Sequence, residues 1–167
     1  MKYSGKNVAV LGAGLSGTAA ALLLRSEGAE VTVLDSAEEN KLLKSTIENL
    51  RGRGVKVTCG AAAENDSSSY DFVVLSPGID PISPLARNFS SRNTETIGEL
   101  ELGWRSVEVP IIAITGTNGK TTTTELLAQM LNACGQRSCT PLNRRQRTKC
   151  PLGAQGKALC SSMTSSS

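Results

Sequence analysis

Residues 8–35 read VAVLGAGLSGTAAALLLRSEGAEVTVLD, and this stretch decides the fold. An apolar run at 7–12 leads into a Gly-rich turn and predicts a short buried strand. The Ala- and Leu-rich residues 15–27 predict a helix, which Gly28 ends as a C-terminal stop. A second apolar run at 30–35 completes a strand–helix–strand unit, in which the two strands are expected to be parallel.

The turn inside this unit has the pattern of an anion-binding loop. Gly12, Gly14 and Gly17 fit G-x-G-x-x-G, and Asp35 closes the second strand 23 residues after Gly12. In this pattern Gly12 permits a tight turn, Gly14 lets the backbone approach a diphosphate, and Gly17 lets the helix pack closely on the strand. The helix N-terminus offers free N–H groups to the anion, and the acid can accept hydrogen bonds from ribose hydroxyls. The sequence therefore predicts a nucleotide diphosphate site.

These residues alone leave the identity of the nucleotide open. The same unit is typical of flavoprotein oxidases and of NAD-dependent dehydrogenases. Flavoproteins usually place Glu at the position of Asp35, and neither class has a phosphate loop a hundred residues later.

The chain continues to alternate strands and helices up to residue 107. Continuous apolar strands between helical segments predict an α/β fold, a Rossmann-like domain over residues 1–107 with a parallel sheet and right-handed crossovers. The remaining predicted elements are a helix at 37–51, strands at 54–58 and 71–76, a helix at 83–89, a strand at 94–97 and a helix at 98–105.

A second Gly-rich loop follows Pro110 in IIAITGTNGKTTTTELLAQML, which starts at Ile111. We predict a strand at 111–115 before it and a helix at 121–133 after it. The strict phosphate-loop pattern fails because Ile114 stands where Gly or Ala is required. The chemical groups are nevertheless present, since Lys120 can neutralise β- and γ-phosphate oxygens and the Thr121 hydroxyl can bind Mg²⁺. The predicted nucleoside-triphosphate loop consists of Gly116, Thr117, Asn118, Gly119, Lys120, Thr121 and Thr122.

The composition argues against several functional classes. Residues 138–167 hold five basic residues and no acid, so residues 1–137 carry a net charge of −2 and are not expected to bind nucleic acid. No apolar run approaches the length of a membrane span, so no membrane insertion is expected. The chain has no His, and its five Cys lack zinc-finger spacing. Scattered thiols without a secretory signal favour the cytoplasm.

Residues 138–167 differ in composition from the preceding chain. They contain six Ser and three Cys but no Val, Ile, Phe, Tyr or Trp. Such a segment buries too little apolar surface to fold, so a disordered basic tail is predicted. Because the change is abrupt and falls in mid-fold, we favour an out-of-frame translation product. An ATPase domain that begins at 108–137 would then be truncated.

The sequence GTNGKTT after an apolar strand resembles the ATP loop of the Mur ligases. Four further features, in order, resemble the members of this family that add D-glutamate to UDP-N-acetylmuramoyl-L-alanine during peptidoglycan synthesis. These features are the Rossmann-like start, Asp35, the turn Ser76-Pro77-Gly78-Ile79 and the segment Gly98-Glu99-Leu100-Glu101-Leu102. The resemblance covers residues 1–137 and stops beyond Gln136.

This resemblance implies a UDP-binding domain, followed by the start of a central ATPase domain. It further implies an ATP-dependent ligase, here expected to be monomeric, that forms an acyl phosphate which the amine of D-glutamate attacks. The implied cofactors are ATP and Mg²⁺. The implied site residues are Gly14, Leu15, Ser16 and Gly17 on the phosphates of the UDP-linked sugar, Asp35, Ser36 and Gly78 at its uridine end, and Lys120 and Thr121 at ATP and Mg²⁺.

Several parts of the Mur ligase pattern are missing from the sequence. They are the Gly-Asn-Ile-Gly segment, the Glu, His and Lys of the central domain, and the whole C-terminal domain. We therefore expect an inactive, truncated chain. A non-catalytic nucleotide-binding module is the main alternative, and a flavin or nicotinamide oxidoreductase is disfavoured by the Lys120 loop.

Overall fold

A computed structural model describes residues 1–39, 41–108, 110–136 and 138. The chain divides into two compact units, Met1–Ser106 and Val107–Ser167, and each is described by itself. The tail predicted at 138–167 lies, apart from Ser138, outside the described residues.

Five strands form one sheet in the first unit. They are β1 Asn7–Leu11, β2 Glu30–Asp35, β3 Lys56–Cys59, β4 Phe72–Leu75 and β5 Thr96–Gly98. Their order is β3-β2-β1-β4-β5, and each pair of neighbours is parallel. This confirms the predicted parallel α/β sheet. The strand order reverses at β1, which has β2 on one side and β4 on the other. Sheets of this kind bind ligands in the crevice outside the carboxyl ends of the strands at that point.

Among the described residues, five helices belong to the first unit and one to the second. They are α1 Leu15–Ser26, α2 Lys41–Gly52, α3 Ala61–Glu64, α4 Pro84–Ser90, α5 Glu99–Arg105 and α6 Lys120–Ala133. Within the described ranges, none of these helices has the length and apolar character that a membrane span requires.

The helices differ from the predictions in two places. The helix predicted at 37–51 is shorter, and residues 37–39 lie outside it. The reason is local, because Ala37 N–H donates to Asp35 Oδ1 at 2.8 Å and holds the chain in a turn. The four-residue helix α3 was not predicted, since a single turn is too short to show a helical period.

The strand predicted at 111–115 is wrong. These residues form no strand, and the side chains of Ile111 and Ile112 are 49% and 59% exposed. A strand needs a neighbour to pair its backbone N–H and C=O groups, and the described part of the second unit contains no other strand. The apolar run alone therefore did not determine the local structure.

The centre of the first unit is the strand β1. Val8, Ala9, Val10 and Leu11 are each at most 1% exposed, so both faces of this strand are covered. A strand buried on both faces is apolar without alternation, which is why the run at 7–12 could be recognised in the sequence. Its burial fixes the carboxyl end of β1, where the first Gly-rich loop begins.

Candidate functional site

The first Gly-rich loop connects the end of β1 to the start of α1. Gly12 has φ +101°, a conformation that favours glycine, and its N–H donates to Leu34 O at 2.8 Å. A Cβ built on Gly17 would overlap the carbonyl oxygen of Gly12 and would lie 2.8 Å from Ser76 Oγ. A side chain is thus disfavoured at Gly12 by its positive φ. At Gly17 it is excluded by a backbone oxygen, because the helix packs directly onto the turn.

Gly14 differs from the other two glycines of the loop. A Cβ at Gly14 would meet no atom within 4 Å, and the residue is exposed. Its φ of −69° is accessible to any residue. The protein itself therefore gives no reason for glycine here, whereas a ligand that approaches the backbone would.

The first turn of α1 presents unpaired N–H groups beside Gly14. The first i→i−4 bond of the helix runs from Thr18 N–H to Gly14 O at 2.9 Å, so the N–H groups of Leu15, Ser16 and Gly17 precede it. No side chain caps this N-terminus. Free N–H groups at the positive end of a twelve-residue helix suit a phosphate.

Asp35, at the carboxyl end of β2, is bound to the backbone through both carboxyl oxygens. Ala13 N–H donates to Oδ2 at 2.7 Å and Ala37 N–H donates to Oδ1 at 2.8 Å. The sequence predicts this residue at a ribose, and its support of the Gly-rich loop is an additional role that the structure shows. Each carboxyl oxygen retains a lone pair, so the side chain can hold the loop and still accept a ligand hydroxyl.

Cys59 lies opposite Asp35 in the β2–β3 register. Burial raises the pKa of the Cys59 thiol, and the neighbouring carboxylates of Asp35 and Glu39 raise that pKa further. The thiol is therefore less ionised than an ordinary cysteine at neutral pH, and it is a poor nucleophile.

The turn Ser76–Ile79 lies at the carboxyl end of β4, beside the Gly-rich loop. Ile79 N–H donates to Ser76 O at 3.0 Å and closes the turn, and a Cβ on Gly12 would lie 3.1 Å from Ile79 Cγ1. Gly78 is exposed and has no atom within 4 Å of a built Cβ, and Ser36 is also exposed. The structure thus brings the residues predicted for the UDP-linked sugar to the carboxyl ends of β1, β2 and β4.

Two polar side chains at this edge had no predicted role. Ser76 is 6% exposed and Glu99 is 9% exposed. Within the part of the chain that the structure describes, Ser76 Oγ and Glu99 Oε1 are buried without a hydrogen-bond partner. Both residues lie in segments that carry the family resemblance, but the sequence does not show that these oxygens would be buried.

The second Gly-rich loop belongs to the second unit and leads into α6. Gly116 and Gly119 have φ +154° and +77°. Lys120 Nζ donates to Gly116 O at 2.7 Å, so the ammonium group lies over its own loop. Thr123 N–H makes the first i→i−4 bond, to Gly119 O at 2.9 Å, and the N–H groups of the three residues before it remain for an anion. This arrangement fits a phosphate chain.

Two protein families match the chain, each over a different range of residues. The family described as Mur ligase MurD-like, N-terminal domain, matches residues 6–98, which is more than half of the chain. The family described as Mur ligase middle domain matches residues 114–159. The second match continues past Gln136, where the motif resemblance was expected to stop.

Two curated relatives and one solved structure give the same picture. The UDP-N-acetylmuramoylalanine–D-glutamate ligase of Geobacter metallireducens is 42% identical over 138 residues, and that of Desulfatibacillum aliphaticivorans is 38% identical over 135 residues. These alignments cover 83% and 81% of this chain but only 30% of each relative. A murein peptide ligase from Psychrobacter arcticus superimposes with a TM-score of 0.54 at 25% identity, over 78% of this chain and 27% of that one.

Proposed function

Since the chain belongs to the Mur ligase family, we propose that it binds a UDP-linked substrate in its first unit and ATP in its second. The proposed reaction is the ligation of D-glutamate to UDP-N-acetylmuramoyl-L-alanine, in the cytoplasm and by a monomer. The relatives named as D-glutamate ligases support this choice of substrates. We propose residues 1–107 as the UDP-substrate domain and residues 108–137 as the beginning of the ATP-binding domain.

The observation that carries the proposal is the first turn of α1. Leu15, Ser16 and Gly17 offer N–H groups to the diphosphate, and the vacant space at Gly14 admits the phosphate oxygens. We propose Asp35, Ser36 and Gly78 for the uridine end, where Asp35 ends β2, Ser36 follows it and Gly78 follows β4. A negative diphosphate is favoured at the first turn of α1 by the helix dipole as well as by hydrogen bonds.

The proposed chemistry begins with activation of the substrate carboxylate by ATP. A carboxylate oxygen attacks the γ-phosphorus and ADP leaves; the amine of D-glutamate then attacks the acyl carbon and phosphate leaves. Lys120 would bind β- and γ-phosphate oxygens, and the Thr121 hydroxyl would bind Mg²⁺. The remaining loop residues, from Gly116 to Thr122, would surround the phosphates with backbone N–H groups.

The binding proposal predicts a preference among nucleotides. We expect the chain to bind UDP at least tenfold more tightly than NAD, because the proposed site accommodates one diphosphate and one uridine. Isothermal titration calorimetry on the full 167-residue chain measures both affinities. Equal affinity for UDP and NAD would contradict the proposal, and a bound flavin absorbing in the visible range would replace it with an oxidoreductase.

A second prediction concerns the ATP loop. We expect Lys120→Met to weaken binding of the Mg²⁺ complex of a non-hydrolysable ATP analogue about tenfold, the size of one charge-assisted contact. Affinity for UDP should not change. The matched control is Lys56→Met, which removes the same charge from an exposed position in β3. An equal loss in both variants would show a general effect of charge and would remove Lys120 from the phosphate site.

A further inference from the structure

The second Gly-rich loop contains a pair of residues that is chemically labile. Asn118 is followed by Gly119, and no other Asn in the sequence is followed by Gly. Asn is a thermolabile residue. The backbone nitrogen of the residue after it can attack the side-chain amide, and glycine has no side chain to hinder that approach. The pair therefore indicates a site of spontaneous deamidation.

Both reacting groups are accessible in the structure. Asn118 and Gly119 are exposed, and a Cβ built on Gly119 would meet no atom within 4 Å. Asn118 lies before α6, so helical geometry does not hold its side chain away from the next nitrogen. Among the described residues, none accepts a hydrogen bond from Gly119 N–H, and the side-chain hydrogen bonds near this loop are made by Lys120 and Thr124. The attacking nitrogen and the amide that it attacks are thus both free to react.

The reaction consumes one water molecule and needs no enzyme. The backbone nitrogen of Gly119 loses its proton to solvent and bonds to Cγ of Asn118. The bond from Cγ to the side-chain nitrogen breaks, and ammonia leaves with a proton from solvent. Water then opens the succinimide ring, and attack at Cγ gives Asp, whereas attack at the backbone carbonyl carbon gives isoaspartate with a longer main chain. Either product carries a carboxylate at neutral pH where a neutral amide stood before.

The new charge would fall inside the proposed phosphate site. The backbone oxygen of Asn118 lies 3.6 Å from a Cβ built on Gly116, whose own carbonyl oxygen accepts from Lys120 Nζ at 2.7 Å. A carboxylate in this loop repels phosphate oxygens and competes with them for the Lys120 ammonium. We propose that Asn118 is a site of spontaneous deamidation, and that its conversion to Asp or isoaspartate disables the second Gly-rich loop for a nucleoside triphosphate. The second half of this inference rests on the proposed binding of ATP.

Two tryptic peptides of the full chain test the modification. Asn118 lies in the peptide 106–120 and Asn93 lies in the peptide 93–105, and neither peptide contains another Asn or a Gln. Asn93 is the internal control, because it is an exposed turn residue but precedes Thr94, whose branched side chain hinders ring closure. During incubation in mildly alkaline buffer, we expect peptide mass mapping to show loss of the Asn118 amide while the Asn93 amide stays intact. Equal rates of loss, or an intact Asn118, would overturn the site.

Calorimetry with the Mg²⁺ complex of a non-hydrolysable ATP analogue tests the consequence for binding. We expect Asn118→Asp to weaken this binding about tenfold, whereas Asn93→Asp, which adds the same charge in the first unit, leaves it unchanged. The bound analogue should also slow the deamidation of the wild-type chain, because its phosphates would cover Gly119 N–H. Equal affinity of Asn118→Asp and the wild type would overturn the proposed loss of binding. A freshly prepared wild-type chain that does not bind the analogue would instead overturn the proposed ATP site, while the peptide result still decides whether Asn118 deamidates.

Discussion

Gly17→Ala is expected to destabilise the first unit by about 3 kcal/mol and to abolish measurable UDP binding. A Cβ on this residue would overlap the carbonyl oxygen of Gly12 and approach Ser76 Oγ. The carbonyl oxygen of Gly12 is a backbone atom, so no change of side-chain rotamer can move it away. Helix α1 would have to shift from β1, and its first-turn N–H groups would no longer converge on one phosphate.

Gly14→Ala is the matched control for this substitution. A Cβ on Gly14 meets nothing within 4 Å, so the stability should change by no more than about 1 kcal/mol, the range of substitutions at a helix N-cap. Its affinity for UDP should still fall, because the methyl group occupies the space proposed for the phosphate oxygens. Hydrogen exchange of the β1 amides measures the stability, and calorimetry measures the binding. Equal stability losses in the two variants would refute the close packing at Gly17.

Much of the first unit could be predicted because its signals are local. The run at 7–12 is apolar throughout, Gly12 and Gly17 stand at fixed spacing, and Asp35 ends the next strand. Burial on both faces and the tight turn after β1 require these features. The parallel sheet followed from their repetition along the chain.

The predictions from sequence failed where the local structure depends on contacts with residues distant in the chain. The run 111–115 is as apolar as a buried strand. A strand also requires a neighbouring strand to pair with, and the residues of the run do not show whether one is present. Ser76 and Glu99 belong to two segments that carry the family resemblance, but the sequence does not show that an oxygen of each would be buried without a hydrogen-bond partner. That burial depends on how the fold encloses the ends of β4 and β5.

The role of Asp35 was only partly predictable for the same reason. An acid at the end of β2 is the expected ribose acceptor in a sheet of this kind. That its carboxyl group also holds Ala13 and Ala37 depends on the path of two loops, which no local pattern encodes. The consequence is that substitutions at Asp35 will change both folding and binding, and the two effects must be measured separately.

Asp35→Ala is expected to destabilise the first unit by about 2–3 kcal/mol, because it removes two hydrogen bonds to a carboxylate and leaves a buried N–H unpaired. Ala13 is 1% exposed, so water cannot readily replace the carboxyl oxygen there, whereas Ala37 is exposed and can bind water. Asp35→Asn should cost less, since its side-chain carbonyl can still accept from one of the two N–H groups. Hydrogen exchange of the β1 amides compares both variants with the wild type, and unchanged exchange in Asp35→Ala would refute the support of the loop.

Two ligands distinguish loop support by Asp35 from direct contact with the ribose. If Asp35 only supports the loop, Asp35→Ala should weaken the binding of UDP and of 2′-deoxy-UDP by the same factor. If the 2′-hydroxyl also donates to the remaining lone pair of Asp35, the substitution should lower the affinity for UDP a further tenfold, about 1.4 kcal/mol, because 2′-deoxy-UDP has no such hydroxyl to lose. We expect the larger loss for UDP, because the carboxylate lies at the end of β2 beside the diphosphate loop and both of its oxygens can accept a second donor. Equal losses for the two ligands would limit Asp35 to positioning the loop, and the exposed Ser36 would then be the next residue to substitute.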